Sequence, residues 1–400
     1  MAKLINITGK ALSGEWGTDD ENGNGIPVLR TTNFTNEGIV NYDNVVTRTI
    51  TKKNIDEKFL RPGDIVLEKS GGSDKQPVGR VIYFDGPERT YLFNNFTGLL
   101  RVKDTSQWCP RYVFYSLYAN YRRGGTREYE NKTTGLHNLK TDAYVSRYEV
   151  VEVSYNRQEH ICELLDLIAG IIRLRQQELS RLDELIKARF VEMFGDPELN
   201  PKEWPVEALG DVLSVEPQNG LYKPQSDYVQ DGTGIPILRI DAFYDGRVTD
   251  FSGLKRLNCT DTERSRYLLM ENDVVINRVN SLEYLGKCAW IKGLIEPTVF
   301  ESNMMRFHVD ESRIDPCYII RLLCSTFIYK QILNRAKKAV NQASINQRDV
   351  QSFKIPVPPV GLQKQYASFV AQVDKSKAAV QKSLDETQIL FDSLMQEYFG

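Results

Sequence analysis

The sequence predicts an α+β protein with two similar, mostly β domains separated by two long helices, which form an antiparallel coiled coil with pseudo-twofold symmetry. The first observation is a repeat: Ile-Pro-Val-Leu-Arg at 26–30 returns as Ile-Pro-Ile-Leu-Arg at 235–239, and Asp-Ile-Val-Leu at 64–67 returns as Asp-Val-Val-Ile at 273–276. The second is an apolar heptad pattern that follows each copy. A period of about 200 residues is too long for a solenoid and has the size of a domain plus a helix.

Each predicted domain, 1–157 and 199–357, is β-rich. In the first domain, short apolar runs at 26–29, 65–67, 81–84 and 150–153 are separated by glycine, proline, aspartate and asparagine, as strand boundaries require. A helix is predicted at 111–121, where aromatic side chains are available for packing.

The segments 158–198 and 358–400 contain the two predicted helices, at 158–195 and 361–400. Their apolar positions advance in steps of three and four, with Arg175 as a polar position in the first. The predicted helix–helix seam consists of Ile161, Leu165, Ile168, Ile172, Leu179, Leu182, Ile186, Val370, Val373, Val380, Leu384, Phe391 and Leu394. Because neither apolar stripe can stay in water, the helices are expected to pack on each other. An antiparallel pair would place the domains with a symmetry similar to that of two DNA half-sites.

The composition is that of an ordinary soluble protein. The chain has 400 residues, 41% of them hydrophobic and 26% charged, and no apolar run of the ~20 residues that a membrane helix needs. Six scattered cysteines and three histidines argue against a zinc cluster and predict reduced thiols in a cytoplasmic protein. A net charge of −2 argues against a broad, non-specific nucleic-acid binder, although base readout needs only a few local cations.

In the order of its motifs, the chain resembles the specificity subunits of Type I restriction-modification systems over its whole length. The resemblance is carried by the doubled Ile-Pro-φ-Leu-Arg strand, by 63–67 with its counterpart 271–276, by the loop 70–80 with its counterpart 280–287, and by the proline-rich entry at 356–363 into the last helix. The first half departs from this pattern, because it lacks the domain start found at 204–211 and the prolines before its helix.

The resemblance implies two target-recognition domains, each reading one half of a bipartite, asymmetric site in double-stranded DNA. The helices would set the spacing of the half-sites and dock modification subunits. It further implies a non-catalytic chain without a cofactor of its own. Two modification (methyltransferase) subunits would bind S-adenosylmethionine and methylate adenine, and with restriction subunits the complex would cleave DNA.

Two other classes stay open: a methyltransferase-type enzyme carrying its own specificity domains, and a coiled-coil scaffold with no role on DNA. The nearest match to an Asn/Asp-Pro-Pro-aromatic catalytic motif is 315–318, which lacks the second proline and is better explained as a helix N-terminus. Gly71 and Gly72 lack the Gly-Lys-Ser/Thr ending of a phosphate-binding loop. The doubled β domains with polar loops disfavour a scaffold.

Candidate DNA-contacting residues follow from comparing the halves. Matching positions should build the fold and grip the DNA backbone, whereas differing positions should read sequence. Arg30 and Arg239 match, which favours a shared structural or phosphate role, and His137 is expected to be a hydrogen-bonding loop residue rather than a metal ligand. The candidates in the first half are Arg30, Lys69, Ser70, Lys75, Arg80, Arg123, Thr126, Arg127, Lys132, His137 and Asn138. Those in the second half are Arg239, Arg278, Asn280, Lys287, Lys337, Lys338, Asn341, Gln342, Asn346 and Arg348.

Overall fold

The computed structural model describes residues 1–133, 136–340 and 342–400, with all of their side chains except those of 132, 133 and 136. The chain forms two compact units, one comprising residues 1–177 and 381–400, the other residues 178–380. Each unit therefore contains one β-rich domain and a segment of each long helix.

The first unit is built mainly from short strands. In chain order they are β1 (Ala2–Lys3), β2 (Leu12–Ser13), β3 (Thr18–Asp19), β4 (Ile26–Leu29), β5 (Val46–Thr49), β6 (Ile65–Glu68), β7 (Ser70–Gly72), β8 (Val81–Tyr83), β9 (Leu92–Phe93), β10 (Thr97–Leu100), β11 (Glu130–Thr133), β12 (Leu136–Leu139) and β13 (Glu149–Val150). Its helices are α1 (Leu4–Thr8), α2 (Pro110–Arg122), α3 (Thr141–Arg147) and the first part of α4 (Tyr155–Phe194).

Two four-stranded sheets form the body of this unit, in the orders β2-β10-β6-β8 and β3-β5-β4-β9. The apolar run of β6 is buried at every position, as expected for a central strand. Helix α2 begins at Pro110, which suits a first helical turn. Its buried aromatic side chains, including Tyr112 and Phe114, share one core with Ile65 and Val81 of the first sheet.

The second unit repeats this plan. Its strands are β14 (Val206–Ala208), β15 (Leu213–Asn219), β16 (Tyr228–Val229), β17 (Ile235–Leu238), β18 (Phe243–Tyr244), β19 (Gly246–Val248), β20 (Arg256–Leu257), β21 (Val274–Asn277), β22 (Val279–Asn280), β23 (Cys288–Trp290), β24 (Val299–Phe300), β25 (Met304–Val309), β26 (Lys337–Lys338), β27 (Ala343–Ser344) and β28 (Lys354–Pro356). Its helices are α5 (Asp261–Tyr267), α6 (Pro316–Leu323), α7 (Thr326–Arg335), α8 (Gln347–Gln351) and the first part of α9 (Val360–Phe399).

The sheet orders of the two units correspond strand for strand. The sheet β16-β20-β17-β24 has the order of β3-β5-β4-β9, and in both sheets the last pairing is parallel. The sheet β15-β25-β21-β23-β19-β18 reproduces β2-β10-β6-β8 and extends it by the hairpin β18–β19. The sequence repeat therefore reflects a repeat of topology, and the second unit carries one added hairpin.

The matched Asp of the repeat is a structural residue in both units. Asp64 is buried, accepts a hydrogen bond from the backbone N–H of Arg61 at 2.8 Å and pairs with Arg101. Asp273 is equally buried, accepts from the N–H of Met270 at 2.8 Å and binds Nδ1 of His308 at 2.9 Å. A buried carboxylate is stable only when it is paired and hydrogen-bonded, so this position was kept to build the fold.

Within each unit the two helical segments run antiparallel. In the first unit, the Arg157 guanidinium lies 5.5 Å from the Tyr398 ring centroid, while Arg175 donates to the carbonyl of Ser383 and the hydroxyl of Thr387. As the residue number increases along α4, the number of the contacting residue on α9 therefore decreases. In the second unit, Lys377 pairs with Asp183, and the hydroxyl of Tyr366 donates to the carbonyl of Ile186 at 3.4 Å.

The predicted seam residues are all at least half-buried in the structure. Ile161, Leu165, Ile168, Ile172, Ile186, Val370, Val373 and Phe391 are buried, whereas Leu179, Leu182, Val380, Leu384 and Leu394 are half-buried. Aromatic and sulfur-containing side chains outside the predicted heptad complete the packing, namely Cys162, Phe190, Met193, Phe194, Tyr366, Met395 and Phe399. They are absent from the heptad because, near the helix ends, these faces also pack on the β domains.

Candidate nucleic-acid interface

A small three-stranded sheet in each unit collects candidates that are far apart in sequence. In the first unit, β7 pairs with the hairpin β11–β12, placing Ser70 opposite Asn138 and Gly72 opposite His137. In the second unit, β22 pairs with the hairpin β26–β27, placing Asn280 opposite Ala343. We call these the small sheets. The glycine loop and the divergent polar stretch of each half therefore form one surface.

The first small sheet has a buried polar interior. His137 is buried, with Nδ1 3.1 Å from Oε2 of Glu130. The other oxygen of Glu130 accepts the backbone N–H of Val78 at 3.0 Å. Glu130 thus connects the hairpin β11–β12 to the loop after β7, and the imidazole of His137 is part of the same hydrogen-bond network. Asn138 is half-buried, while the side chain of Lys132 lies outside the described residues.

A basic cleft lies beside the loop that follows strand β7 of the first small sheet. The exposed side chains of Lys75, Arg123 and Arg127 line it, together with Arg122, which pairs with Asp392 at 2.6 Å. Its volume is about 620 Å³, and Asn36, Gln76, Pro77, Tyr121 and Gly124 complete its wall. Several cations facing one open cleft, with one acidic partner among them, form an anion-binding surface suited to DNA phosphates.

In the second unit the cations lie on the hairpin itself. Lys337 and Lys338 form β26 and are exposed, as is Gln342 in the turn that follows. Asn341 lies outside the described residues. Asn346 caps α8 by accepting the N–H of Asp349 at 3.1 Å, which gives its side chain a structural partner. Arg348, the second residue of α8, is exposed.

The remaining loop candidates are less accessible. Thr126 is fully buried against the loop that carries Gly79. Lys69 is half-buried and donates from Nζ to the hydroxyl of Ser13 at 3.0 Å, and burial lowers the pKa of its ammonium group. Arg278 donates to the carbonyl of Ser302 at 3.2 Å. The carboxamide oxygen of Asn280 accepts the N–H of Ser281 at 2.8 Å.

A cluster of cations around one buried glutamate flanks each small sheet; we call it the charge cluster. In the first unit, Arg80 pairs with the buried carboxylate of Glu68 at 2.8 Å and donates to the carbonyls of Thr31 and Phe34. Arg80 is thereby bound within the fold. Arg30, the residue before Thr31 and the counterpart of Arg239, is counted with this cluster by its position, and its guanidinium donates to the carbonyl of Asn44 at 3.0 Å.

In the second unit the charge cluster has different pairings. Arg239 pairs with Glu301 at 3.3 Å, and the other oxygen of Glu301 accepts the N–H of Ile240 at 2.8 Å. Lys287 donates to the carbonyl of Ile240 at 3.1 Å and lies 3.5 Å from the Tyr244 ring centroid. Burial lowers the pKa of the Lys287 ammonium group.

Sequence reasoning missed Phe96, an apolar residue beside the first small sheet. Its side chain is 53% exposed, and its carbonyl accepts the N–H of Lys69 at 2.8 Å and that of Ser70 at 3.3 Å. An exposed phenylalanine at such a surface can contact a thymine methyl group or wedge between bases. The exposure of a single phenylalanine in a turn leaves no signal in the sequence.

The motifs considered for catalysis have structural roles. Asp315 caps α6 by accepting the N–H of Cys317 at 2.9 Å, as a helix N-terminus requires. Gly71 and Gly72 lie in strand β7. Within the described residues, no group of three or more His, Cys, Asp or Glu side chains could hold a metal ion. Over the same residues, no helix combines the length and apolarity needed to cross a membrane.

Residues 201–387 match the family model of the Type I restriction modification DNA specificity domain. The putative Type I restriction enzyme MjaX specificity subunit of Methanocaldococcus jannaschii is 32% identical over 201 residues, which cover 50% of this chain and 46% of that relative. The Type I restriction enzyme EcoKI specificity subunit of Escherichia coli is 24% identical over 395 residues, covering 93% of this chain and 80% of the relative.

Two solved structures have the same fold over the full length of this chain. The crystal structure of the Type I restriction-modification S subunit from M. genitalium aligns with a TM-score of 0.58 at 15% identity, covering 95% of that chain. A second, from a study of complex assembly and conformational transition of the Type I system, aligns with a TM-score of 0.57 at 15% identity and 96% coverage. Residues 201–387 thus match the Type I restriction modification DNA specificity domain, and over its full length the chain is similar in fold to S subunits of Type I systems.

Proposed function

We propose that this chain is the DNA-recognition subunit of a Type I restriction-modification complex, and that each unit reads one half of a bipartite, asymmetric site. One observation carries the proposal. Apart from the added hairpin β18–β19, the two units share their sheet topology, yet the exposed residues on and beside their small sheets differ. A shared frame with divergent polar side chains is the arrangement expected of two readers of different sequences.

The distribution of cations supports the same function. The first unit presents Lys75, Arg123 and Arg127 around a cleft, and the second presents Lys337 and Lys338 on a hairpin. These are local basic surfaces on a chain whose net charge is −2. Such a distribution provides phosphate contacts at two places without the broad basic excess of a non-specific binder.

The chain is proposed to be non-catalytic and to bind no cofactor of its own. Two modification subunits would bind S-adenosylmethionine and methylate adenine at the site that this chain selects, and restriction subunits would add cleavage. The structural role of Asp315 supports the assignment, because the nearest approach to a methyltransferase motif is a helix cap. The complex is proposed to act in the cytoplasm.

The long helices are proposed to set the gap between the half-sites and to dock the modification subunits. Each is 40 residues long, which at 1.5 Å per residue corresponds to about 60 Å of helix. Exposed leucines on α4, such as Leu167 and Leu174, provide apolar surface away from the seam. Inserting four residues near Gln176 adds about one turn, so it should lengthen the spacer and leave both half-site sequences unchanged.

Exchange of one domain tests the proposal directly. Residues 1–157 are replaced by the same segment of a related subunit, and methylated adenines are mapped in cells that also supply the modification subunits. One half of the recognised site should change while the other stays the same. Exchange of residues 199–357 is the matched control and should change the other half. If either exchange alters both halves together, the two units do not read DNA independently.

A further inference from the structure

The two charge clusters hold their buried glutamate at different positions. In the first unit the acid is Glu68, the last residue of β6, and the residue after β9 is Asn94. In the second unit the corresponding end of β21 is Asn277, and the residue after β24 is Glu301. These positions are equivalent by strand register, because β4 pairs with β9 as β17 pairs with β24. The glutamate and the asparagine have therefore changed places between the units.

The rest of the cluster keeps its geometry. Nη2 of Arg80 donates to the carbonyl of Thr31 at 3.1 Å. Nζ of Lys287 donates to the carbonyl of Ile240, the residue equivalent to Thr31, also at 3.1 Å. Each unit thus has two cations and one buried acid in the same frame. The position of the acid differs, and with it the cation that the acid neutralises.

The exchange separates two arginines that the sequence presents as equivalent. Arg239 pairs with Glu301, whose side chain is only 10% exposed. In the first unit the position of Glu301 is occupied by the neutral Asn94, and within the described part of the chain Nε of Arg30 and Oδ1 of Asn94 both lack a hydrogen-bond partner. Among those same residues, Arg30 forms no ion pair, and its guanidinium is held by a single bond to a backbone carbonyl.

The backbone at Arg30 is also close to the first small sheet. A Cβ atom built on Gly71 of β7 would lie 3.9 Å from the hydroxyl of Thr31, the residue that follows Arg30. An arginine with no acidic partner beside a polar, partly basic surface keeps its full charge for an anionic ligand. Resting on the function proposed above, we propose that Arg30 contacts DNA in the first unit, whereas Arg239 is a structural residue of the second.

The test compares matched substitutions in the complex assembled with its modification subunits. The ligand is a duplex containing the site that methylation mapping identifies, and affinity is measured over a range of salt concentrations. Arg30→Gln should weaken binding about tenfold and leave the thermal unfolding midpoint unchanged. Arg239→Gln should instead lower the midpoint, because it leaves Glu301 buried without its cation, and at low temperature its affinity should stay near that of wild type.

A second pair of variants leaves Arg30 in place. Asn94→Glu recreates in the first unit the acid that Glu301 supplies in the second, so it should weaken DNA binding about as much as Arg30→Gln. Asn94→Gln is the neutral control and should bind like wild type. This pair guards against a folding defect in the arginine variant, since both substitutions are made at the same position.

The pattern of loss shows which part of DNA is contacted. Uniform weakening across sequences, with the salt slope reduced by about one, supports a phosphate contact. Weakening confined to one base pair of one half-site supports a base contact. Wild-type affinity in both Arg30→Gln and Asn94→Glu would overturn the inference while leaving the proposed function intact. A wild-type complex that neither binds nor methylates a specific site would overturn both.

Discussion

The helix pair of the first unit can be tested by removing one buried leucine. Leu165 on α4 is completely buried and shares a core with Phe391, Met395 and Phe399 of α9. Replacing it by alanine removes the packed side chain and leaves a cavity between the helices, at a cost of about 3 kcal/mol within a usual range of about 2–5. For a unit of about 200 residues, this corresponds to a fall of roughly 6–12 °C in the unfolding midpoint.

Leu167, two residues further along the same helix, provides the control. Its side chain is 63% exposed, so Leu167→Ala removes little packed surface and should change stability by less than about 0.5 kcal/mol. Native-state hydrogen exchange reports the two units separately, because their peptides can be followed one by one. In Leu165→Ala, peptides from 155–177 and 381–399 should exchange more than about a hundredfold faster, which corresponds to about 3 kcal/mol.

The comparison has a clear negative outcome. Equal effects of the two substitutions, or unchanged exchange in Leu165→Ala, would mean that this face of α4 does not pack on α9. The antiparallel pairing of the first unit would then be wrong. Faster exchange in 155–177 alone, with 381–399 unaffected, would contradict a shared core between the two helices.

Three further predictions concern the reading surfaces and the chemistry. Gly79 has φ of +109°, and a Cβ there would lie 2.7 Å from Thr126, so Gly79→Ala should lower the free energy of unfolding by about 1–3 kcal/mol in denaturant titrations. Replacing Lys337 and Lys338 together by glutamine should reduce the slope of log affinity against log salt by about two in the assembled complex, and an unchanged slope would remove both from the interface. The purified chain alone should transfer no methyl group from labelled S-adenosylmethionine to DNA, whereas adding modification subunits should start the reaction; transfer by the chain alone would make it an enzyme.

The doubled architecture could be predicted because short sequence patterns indicate it. The repeated apolar strand, Asp64 with Asp273, and the heptad of the helices are all visible over a few residues. The pairing of β7 with β12 could not be predicted. The two strands lie more than 60 residues apart in sequence, and the residue pattern of neither strand indicates which strand it pairs with. The sequence therefore indicates two domains but not that their scattered polar stretches form one surface.

Prediction of the candidate site from the sequence was limited in the same way, because it depends on contacts between distant residues. Arg30 and Arg239 follow matching strands and look interchangeable, yet Arg239 pairs with Glu301, 62 positions away, whereas Arg30 donates to the carbonyl of Asn44, 14 positions away. Arg80 and Lys287 also match, but of these two only Arg80 forms an ion pair with a buried carboxylate within the described residues. Which cation pairs with the buried glutamate depends on a tertiary contact. Comparison of the two halves could therefore identify the equivalent positions but not the cation that lacks an acidic partner.

Arg175 has a consequence for how the helices find their alignment. A seam of apolar residues repeating every seven positions looks the same to its partner after a slip of one heptad. Arg175 removes that degeneracy, because it faces Thr387 and the carbonyl of Ser383. Sliding α9 by seven residues would set the guanidinium against Leu394 and remove its hydrogen bond to the Thr387 hydroxyl, which is costly for a half-buried charge. The polar contact of Arg175 therefore favours the observed alignment of the two helices over one shifted by a heptad.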